Sequence, residues 1–264
     1  MVVFQAVAWE GLDIDGEYTI TVYGRTKDGK SVSVSTLFEP YFYVKIPPTI
    51  TSETLWRTLQ SVNKRHEDND PENRKFYMSH NLVKMKELWG FTNNTEFPFM
   101  KLNFKSHERM RRFAASCKYI KCGGKTLKVY ESNIDPLLRF MHRTGIQSTG
   151  WLEAKGKRAY ITTCDIDMMC DDWKTMKPVE NDSIAPFRIT SVDIECYSST
   201  GKFPNADVKG DEVFQVAFTT KMYGSDEIEQ KCLCLYETEG YEWYPTEKEF
   251  LTAVSEYLVK LDPD

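Results

Sequence analysis

A single run of ten residues, Arg188–Tyr197, places the tightest constraint on how this chain folds. The run is rich in β-branched residues and carries two acids, Asp193 and Glu195, in its second half. Because alternate side chains of a strand point to opposite faces, it predicts a strand with both acids on one face, their Cα atoms roughly 6–7 Å apart. Carboxylates held in this way suit Mg²⁺, which prefers oxygen ligands. A strand with one wet face is the alternative.

Two divalent ions about 3.5–4 Å apart can stabilise both the attacking and the leaving oxygen when a phosphodiester is displaced. Asp193 and Glu195 are therefore the candidate catalytic and metal-binding residues. Asp211 and Glu212 follow in sequence but open the next predicted strand, which makes them weaker candidates as ligands.

Charge is unevenly distributed along the 264 residues, although the net charge is only −5. Residues 74–158 contain 18 Lys or Arg and 6 Asp or Glu, whereas residues 161–264 contain 9 and 22. A basic segment suits a polyanion and an acidic one suits cations, but either can also be a solvated face. The distribution therefore indicates a polyanion-binding surface beside a cation-binding one.

The seven cysteines are odd in number and follow no zinc-binding spacing, which indicates reduced, intracellular thiols. Residues 1–9 lack the basic start of a signal peptide, and no run approaches the length of a membrane span. The sequence thus predicts a soluble protein that is not secreted.

The first part of the chain predicts a β meander with strands at residues 2–9, 17–25, 31–38 and 41–46. A helix should follow, capped by Thr51 or Ser52, and residues 66–75 should be a linker or a long loop. The inner face of this helix is predicted to carry Leu55, Trp56, Leu59 and Val62.

The middle of the chain predicts strands at 81–89, 97–104, 126–130, 147–153 and 158–166, with helices at 106–117 and 134–143. Ser106 and Asn133 are the predicted N-caps, and Gly145 the helix end. Gly124-Lys125-Thr126 resembles the end of a phosphate-binding loop, but a strand follows it, so a hairpin turn is predicted. This alternation indicates an α+β layer.

The polar segment 173–186 contains two prolines and is the predicted domain boundary. Strands are predicted after it at 188–196, 212–220 and 229–237. A helix opens with the capping box Thr246-Glu247-Lys248-Glu249. Its predicted apolar stripe is Phe250, Leu251, Val254, Tyr257, Leu258 and Leu261.

Several segments in matching order resemble segments of one known family. Asp193-Ile194-Glu195-Cys196-Tyr197-Ser198 resembles the first exonuclease motif of family B DNA polymerases, and residues 184–189 resemble its usual lead-in. Residues 130–134, 138–141 and 150–153 resemble the segment before the exonuclease domain in delta-type and large-DNA-virus polymerases. Residues 23–26 and 40–44 resemble, more weakly, the N-terminal region of the viral enzymes.

The resemblance implies a mixed α+β chain with two domains. Residues 1–180 would form a β-rich N-terminal domain with a subdomain similar to RNA-recognition folds. Residues 181–264 would form part of a ribonuclease H-like 3′→5′ proofreading exonuclease. In the family the two acids of the first motif bind the catalytic metals, so Asp193 and Glu195 are expected to hold Mg²⁺ or Mn²⁺, with two ions in the complete site. The aspartates of the second and third motifs are expected beyond Asp264.

The implied function is that of the N-terminal and partial exonuclease region of a DNA-directed DNA polymerase, in the nucleus or at a viral replication site. Expected partners are DNA, as a single-stranded 3′ end and as template, the rest of the polymerase in cis or as a second chain, and a sliding clamp, but no membrane. Weak, sequence-independent DNA binding is predicted for residues 74–158. The candidate contacts are Lys101, Lys105, Arg109, Arg111 and Arg112.

Two alternatives remain from the sequence. One is a non-catalytic module that binds single-stranded nucleic acid, with Tyr41, Phe42 and Tyr43 as a stacking platform. The other is a purely structural subunit of a polymerase.

In a ribonuclease H-like domain a fourth strand pairs with the first, and here it would follow Asp264. Its absence predicts an isolated chain that self-associates and has no exonuclease activity of its own.

Overall fold

The structure, a computed structural model, describes residues 1–69, 78–88 and 90–264, and these divide into two compact units. Unit 1 comprises residues 1–23 and 32–180, and unit 2 comprises residues 24–31 and 181–264. Strands dominate and helices are interspersed, which confirms a mixed α+β chain. Among the described residues, no helix is both long enough and apolar enough to cross a membrane.

The helices and strands are named here in chain order. They are β1 (Val2–Ile14), β2 (Glu17–Arg25), β3 (Ser31–Leu37), β4 (Tyr41–Lys45), α1 (Ser52–Asp68), β5 (Met78–Lys86), β6 (Glu96–Phe104), α2 (His107–Cys117), β7 (Lys121–Cys122), β8 (Lys125–Thr126), β9 (Val129–Tyr130), α3 (Pro136–Thr144), β10 (Trp151–Ala154), β11 (Lys157–Arg158), β12 (Ile166–Cys170), β13 (Lys177–Val179), β14 (Arg188–Tyr197), β15 (Glu212–Met222), β16 (Ile228–Leu235), β17 (Glu242–Tyr244) and α4 (Glu247–Leu261).

Unit 1 contains a seven-stranded sheet in the order β11-β12-β3-β2-β1-β10-β13. The first three strands of the predicted meander are confirmed, but β4 belongs to another sheet, so the four-stranded meander is wrong. The outer edge of β3 is occupied instead by β12, which runs parallel to it with Ile166 opposite Val32. Phe4, Ile20 and Phe140 are fully buried in the core of this sheet.

The second sheet of unit 1 has the order β5-β6-β4-β9, and each neighbouring pair is antiparallel. Its elements follow one another in the chain as strand, helix, strand, strand, helix, strand. Phe42 and Leu102 point to the face that packs on α1 and α2, where they meet Leu55 and Phe113. The next residues along each strand, Tyr41 and Lys101 among them, therefore point to the opposite face.

Helix ends follow their local signals. Thr51 caps α1 by accepting a hydrogen bond from Thr54 N at 3.2 Å, and Ser106 caps α2, as predicted. Asn133 is not a cap, because Asp135 accepts from Leu137 N at 2.8 Å and Pro136 occupies the first turn of α3. Gly145, with φ 73°, ends α3 as predicted.

Several predicted boundaries are wrong. Residues 66–68 continue α1 rather than forming a linker. The rest of the predicted linker, residues 70–75, and Trp89 at the end of the strand predicted at 81–89 lie outside the described residues. The strand predicted at 147–153 begins only at Trp151, and the one at 158–166 is a loop between β11 and β12. The strand predicted at 126–130 is split, because β8 pairs with β7 in a hairpin, which confirms the turn at Gly124.

Unit 2 is a sheet in the order β14-β15-β16-β17. The first three strands are antiparallel and confirm the prediction, whereas β17, parallel to β16, was not predicted. Helix α4 begins after the Thr246 cap and packs its fully buried Phe250 against Val216 and Phe218. Leu251 is 42% exposed, so its place in the predicted apolar stripe is wrong.

Candidate functional site

The register of β14 decides where the two predicted acids lie. Asp193 is opposite Ala217 and Glu195 is opposite Gln215 on β15, so both acids project from one face of the sheet. Both side chains are exposed to solvent. The arrangement presents two carboxylates side by side on a rigid element, where a hydrated cation can reach them.

Packing distinguishes the two faces of this sheet. Val192 and Ile194 are opposite Phe218 and Val216, which are buried beneath α4. Val192 and Ile194 lie on the same face as this core although they are 44% and 56% exposed, and a slip of one residue would exchange them with the acids. The burial of Phe218 and Val216 therefore marks the core face of the sheet, and the acid pair lies on the other face.

A β-bulge adjoins the acid pair. Glu195 is opposite Gln215, but the next residue, Cys196, is opposite Val213, so Phe214 is an extra residue in β15. Bulges bend a strand and re-aim the neighbouring side chains. Sequence analysis missed this feature, because a bulge depends on how two distant strands pair.

The loop after β14 is held by Asp211. One of its oxygens accepts hydrogen bonds from Ser199 N at 2.7 Å and Ser199 Oγ at 2.6 Å, and the other accepts from Asn205 N at 3.0 Å. The hydrogen bonds from Ser199, then that from Asn205, lower the pKa of Asp211. Both oxygens are engaged within the loop, which gives this acid a structural role.

The start of β14 is held by Asp264. Its carboxylate accepts from Arg188 N at 2.7 Å and from Arg25 Nε at 2.8 Å, while its own N–H donates to the Arg188 carbonyl at 3.1 Å. Sequence analysis missed this cluster, since no local pattern connects residues so far apart in the chain. In the described part of unit 2, β14 is an edge strand and only β15 pairs with it.

The donors on β14 fit a hard cation. In the part of the chain that the structure describes, no three His, Cys, Asp or Glu side chains are grouped so as to hold a metal. Asp193 and Glu195 are a pair of exposed carboxylates. Mg²⁺ in proteins commonly binds one or two carboxylates and retains several waters, so two carboxylates are compatible with it.

The five predicted phosphate contacts do not form one cluster. Lys101 lines a cavity of about 440 Å³ within unit 1, with its Nζ 3.7 Å from the centre of the Tyr41 ring. Burial, and then the positive charge of Arg143 and Arg139, lowers the pKa of Lys101. Lys105 is paired with Glu17 at 2.5 Å.

The three arginines lie on α2, and Arg112 is paired with Glu108 at 2.5 Å. Because α2 packs on one face of its sheet and Lys101 points to the other, these candidates belong to different surfaces of unit 1.

The stacking-platform hypothesis is wrong for two of its three residues. Phe42 is buried and stacks on Phe104, with ring centroids 5.5 Å apart. Tyr41 is 6% exposed, and the Arg139 guanidinium lies 4.1 Å from its ring centre. Neither ring can receive a base. Tyr43 is half-buried.

Comparison with known families settles the relationship. A family model described as "DNA polymerase family B, exonuclease domain" matches residues 127–264, which is more than half of the chain and includes the whole of β14. The chain belongs to DNA polymerase family B.

The relatives include viral DNA polymerases and DNA polymerase delta catalytic subunits. A DNA polymerase of Acanthamoeba polyphaga mimivirus is 33% identical over 99% of this chain and 17% of its own length. The DNA polymerase delta catalytic subunit of Arabidopsis thaliana is 27% identical over 93% of this chain and 24% of its own length. The chain thus spans a quarter or less of these relatives.

A solved family B structure shares the fold. The DNA polymerase of the hyperthermophilic archaeon Pyrobaculum calidifontis superposes with a TM-score of 0.72 at 19% identity, covering 100% of this chain and 30% of that one. This similarity supports the described course of the chain as a family B fold.

Proposed function

We propose that this chain is the N-terminal and proofreading-exonuclease region of a replicative DNA polymerase. Residues 1–180 would be the N-terminal domain and residues 181–264 part of a ribonuclease H-like 3′→5′ exonuclease. The observation that carries the proposal is the pair Asp193 and Glu195, side by side on the exposed face of β14 within the segment that the exonuclease family matches.

In this mechanism Asp193 and Glu195 would hold Mg²⁺ or Mn²⁺ at the 3′ end of a DNA strand. Divalent ions bound there would supply positive charge for the attacking and leaving oxygens of the phosphodiester. The strand fixes the carboxylates in position, and hydrogen bonds to Asp211 hold the loop that follows it. The remaining ligands would come from the rest of the polymerase.

The test uses the full-length polymerase. Asp193→Ala and Glu195→Ala should each abolish Mg²⁺-dependent release of the 3′ nucleotide from a mismatched primer while nucleotide addition continues. Asp207→Ala, which removes an exposed acid from the loop after β14, is the matched control and should keep excision. Unchanged excision by the Asp193→Ala, Glu195→Ala double variant would sink the assignment.

We also propose that unit 1 binds single-stranded DNA. Its second sheet has the strand and helix order of RNA-recognition folds, and exposed cations such as Arg111 lie on α2. Contacts to phosphate release counterions, so log K should fall linearly with log salt, by about 0.7 per phosphate contact. Arg111→Ala should reduce that slope by about 0.7.

Lys101→Met should leave the same slope unchanged, because the Lys101 amine lies over the Tyr41 ring. An affinity that does not vary with salt would contradict DNA binding and would leave the excision test unaffected. A sliding clamp and the rest of the polymerase, in cis or as a second chain, remain proposed partners.

A further inference from the structure

Two thiols lie close together on β16. Cys232 and Cys234 are both free, and their Sγ atoms are 4.0 Å apart. Because they are two residues apart on a strand, they project from the same face. Cys234 is buried and Cys232 is half-buried, so the pair has one protected and one accessible sulfur.

The sulfur separation suits a shared ion. Zinc–thiolate bonds are about 2.3 Å long, so two thiolates on a tetrahedral ion lie roughly 3.8 Å apart. A direct disulfide fits less well, because residues at this spacing on a strand have Cα atoms roughly 6.5–7 Å apart, at the upper limit for a bridge. We propose that Cys232 and Cys234 form a two-thiolate site for a soft divalent cation such as Zn²⁺ or Cd²⁺.

This site is separate from the carboxylate pair. The register places Ala217 between Asp193 and Cys232, and Gln215 between Glu195 and Cys234. The thiols are therefore on the same face as the acids but two strands away, roughly 10 Å at the usual strand spacing, which is too far to share one ion. Carboxylates suit Mg²⁺ whereas thiolates suit Zn²⁺ and softer ions, so the two sites should differ in selectivity.

Binding must remove both thiol protons. The thiolate is the form that binds a metal, whereas an ordinary cysteine thiol, with a pKa of about 8.5, keeps its proton at neutral pH. Each S–H bond breaks as a metal–sulfur bond forms, and the proton passes to the buffer. Two waters complete a tetrahedral shell. One bound ion should therefore release two protons.

The test is a Cd²⁺ titration of the reduced 264-residue chain, followed by cadmium–thiolate absorbance and by proton release. One ion should bind per chain, two protons should appear, and a large excess of Mg²⁺ should not displace the ion. Cys232→Ser and Cys234→Ser should each weaken binding at least tenfold. Cys196→Ser, which removes an exposed thiol from β14, should leave it unchanged.

Circular dichroism of each variant checks that the sheet is retained. Cys232→Ser changes the less buried of the two thiols. Binding that survives both Cys232→Ser and Cys234→Ser would overturn the proposal. Loss of binding in Cys196→Ser would also overturn it. Displacement of Cd²⁺ by Mg²⁺ would overturn it as well, because it would place the ion on the carboxylates.

Discussion

The Glu247 carboxylate accepts a hydrogen bond from Val213 N at 3.0 Å, and this bond ties the first turn of α4 to the β-bulge beside Glu195. A bulge leaves part of the strand ladder unpaired, and here a side chain from the helix supplies an acceptor. The capping box positions Glu247 as well, since it places the start of α4 at Thr246.

Replacing Glu247 with Ala should therefore destabilise unit 2. Loss of a hydrogen bond to a charged group costs about 1.5–3 kcal/mol, and partial exposure of Glu247 favours the lower end. The measurement is urea unfolding together with hydrogen exchange at Val213. Glu256→Ala, an exposed acid on the same helix, is the control and should change stability by less than about 0.5 kcal/mol. Equal effects from both variants would contradict the role given to Glu247.

Two adjacent residues of α4 should respond very differently to truncation. Phe250 is fully buried among Val216 and Phe218, so Phe250→Ala should cost about 3–5 kcal/mol of unfolding free energy. Leu251 is exposed, and Leu251→Ala should stay within about 0.5 kcal/mol of the native chain. Chemical denaturation of the two variants provides the measurement, and comparable losses would show that the helix face is assigned incorrectly.

Asp13, at the end of β1, caps a helix that is distant in sequence. Its carboxylate accepts from His107 N and Glu108 N, each at 2.8 Å, and from Ser106 Oγ at 3.0 Å. Asp13→Ala leaves these first-turn donors of α2 without that acceptor and should cost about 1–2 kcal/mol. Asp13→Asn keeps one acceptor oxygen and should cost less. Faster hydrogen exchange at His107 and Glu108 is the specific readout, and unchanged exchange in Asp13→Ala would contradict the cap.

Acid should release the loop between β11 and β12. Burial alone would raise the pKa of Asp167, but hydrogen bonds from Thr162, Ser33 and Ile161 outweigh it and lower that pKa. A carboxyl with a lowered pKa contributes stability above its unfolded value, about 3.9, and that stability is lost as pH falls through the folded value. Exchange at Ile161 and Thr162 should therefore accelerate only below about pH 4.

The same loop offers a matched control. Asp167→Asn keeps one acceptor oxygen but cannot ionise, so exchange at these two amides should lack the acid transition. A transition that persists in Asp167→Asn would assign the titration to another group.

Local signals carried much of the fold. The capping residues Thr51, Ser106 and Thr246 predicted three of the four described helices from hydrogen bonds within one turn. The alternation in β14 predicted that Asp193 and Glu195 share a face, since side-chain period is a property of the strand itself. Their metal-binding role stays a prediction.

The sequence did not predict which strands pair with one another. The pairing of β12 with β3, and the move of β4 into a second sheet, depend on contacts between segments far apart in the chain. Asn133 and Asp135 both satisfy the local rule for an N-cap, and Pro136 in the first turn is what favours Asp135. The bulge at Phe214 has the same origin as the strand-pairing errors, because two strands must be aligned before an extra residue is visible.

That extra residue also bears on how this gene can change. Loss of the Phe214 codon would leave Val213 directly before Gln215, on the opposite face and still toward the core, so the shortened strand could form an uninterrupted ladder. The bend beside Glu195 would disappear. An allele with this deletion should yield a folded protein with a misdirected carboxylate, so inherited changes in length at this position would separate loss of function from loss of folding.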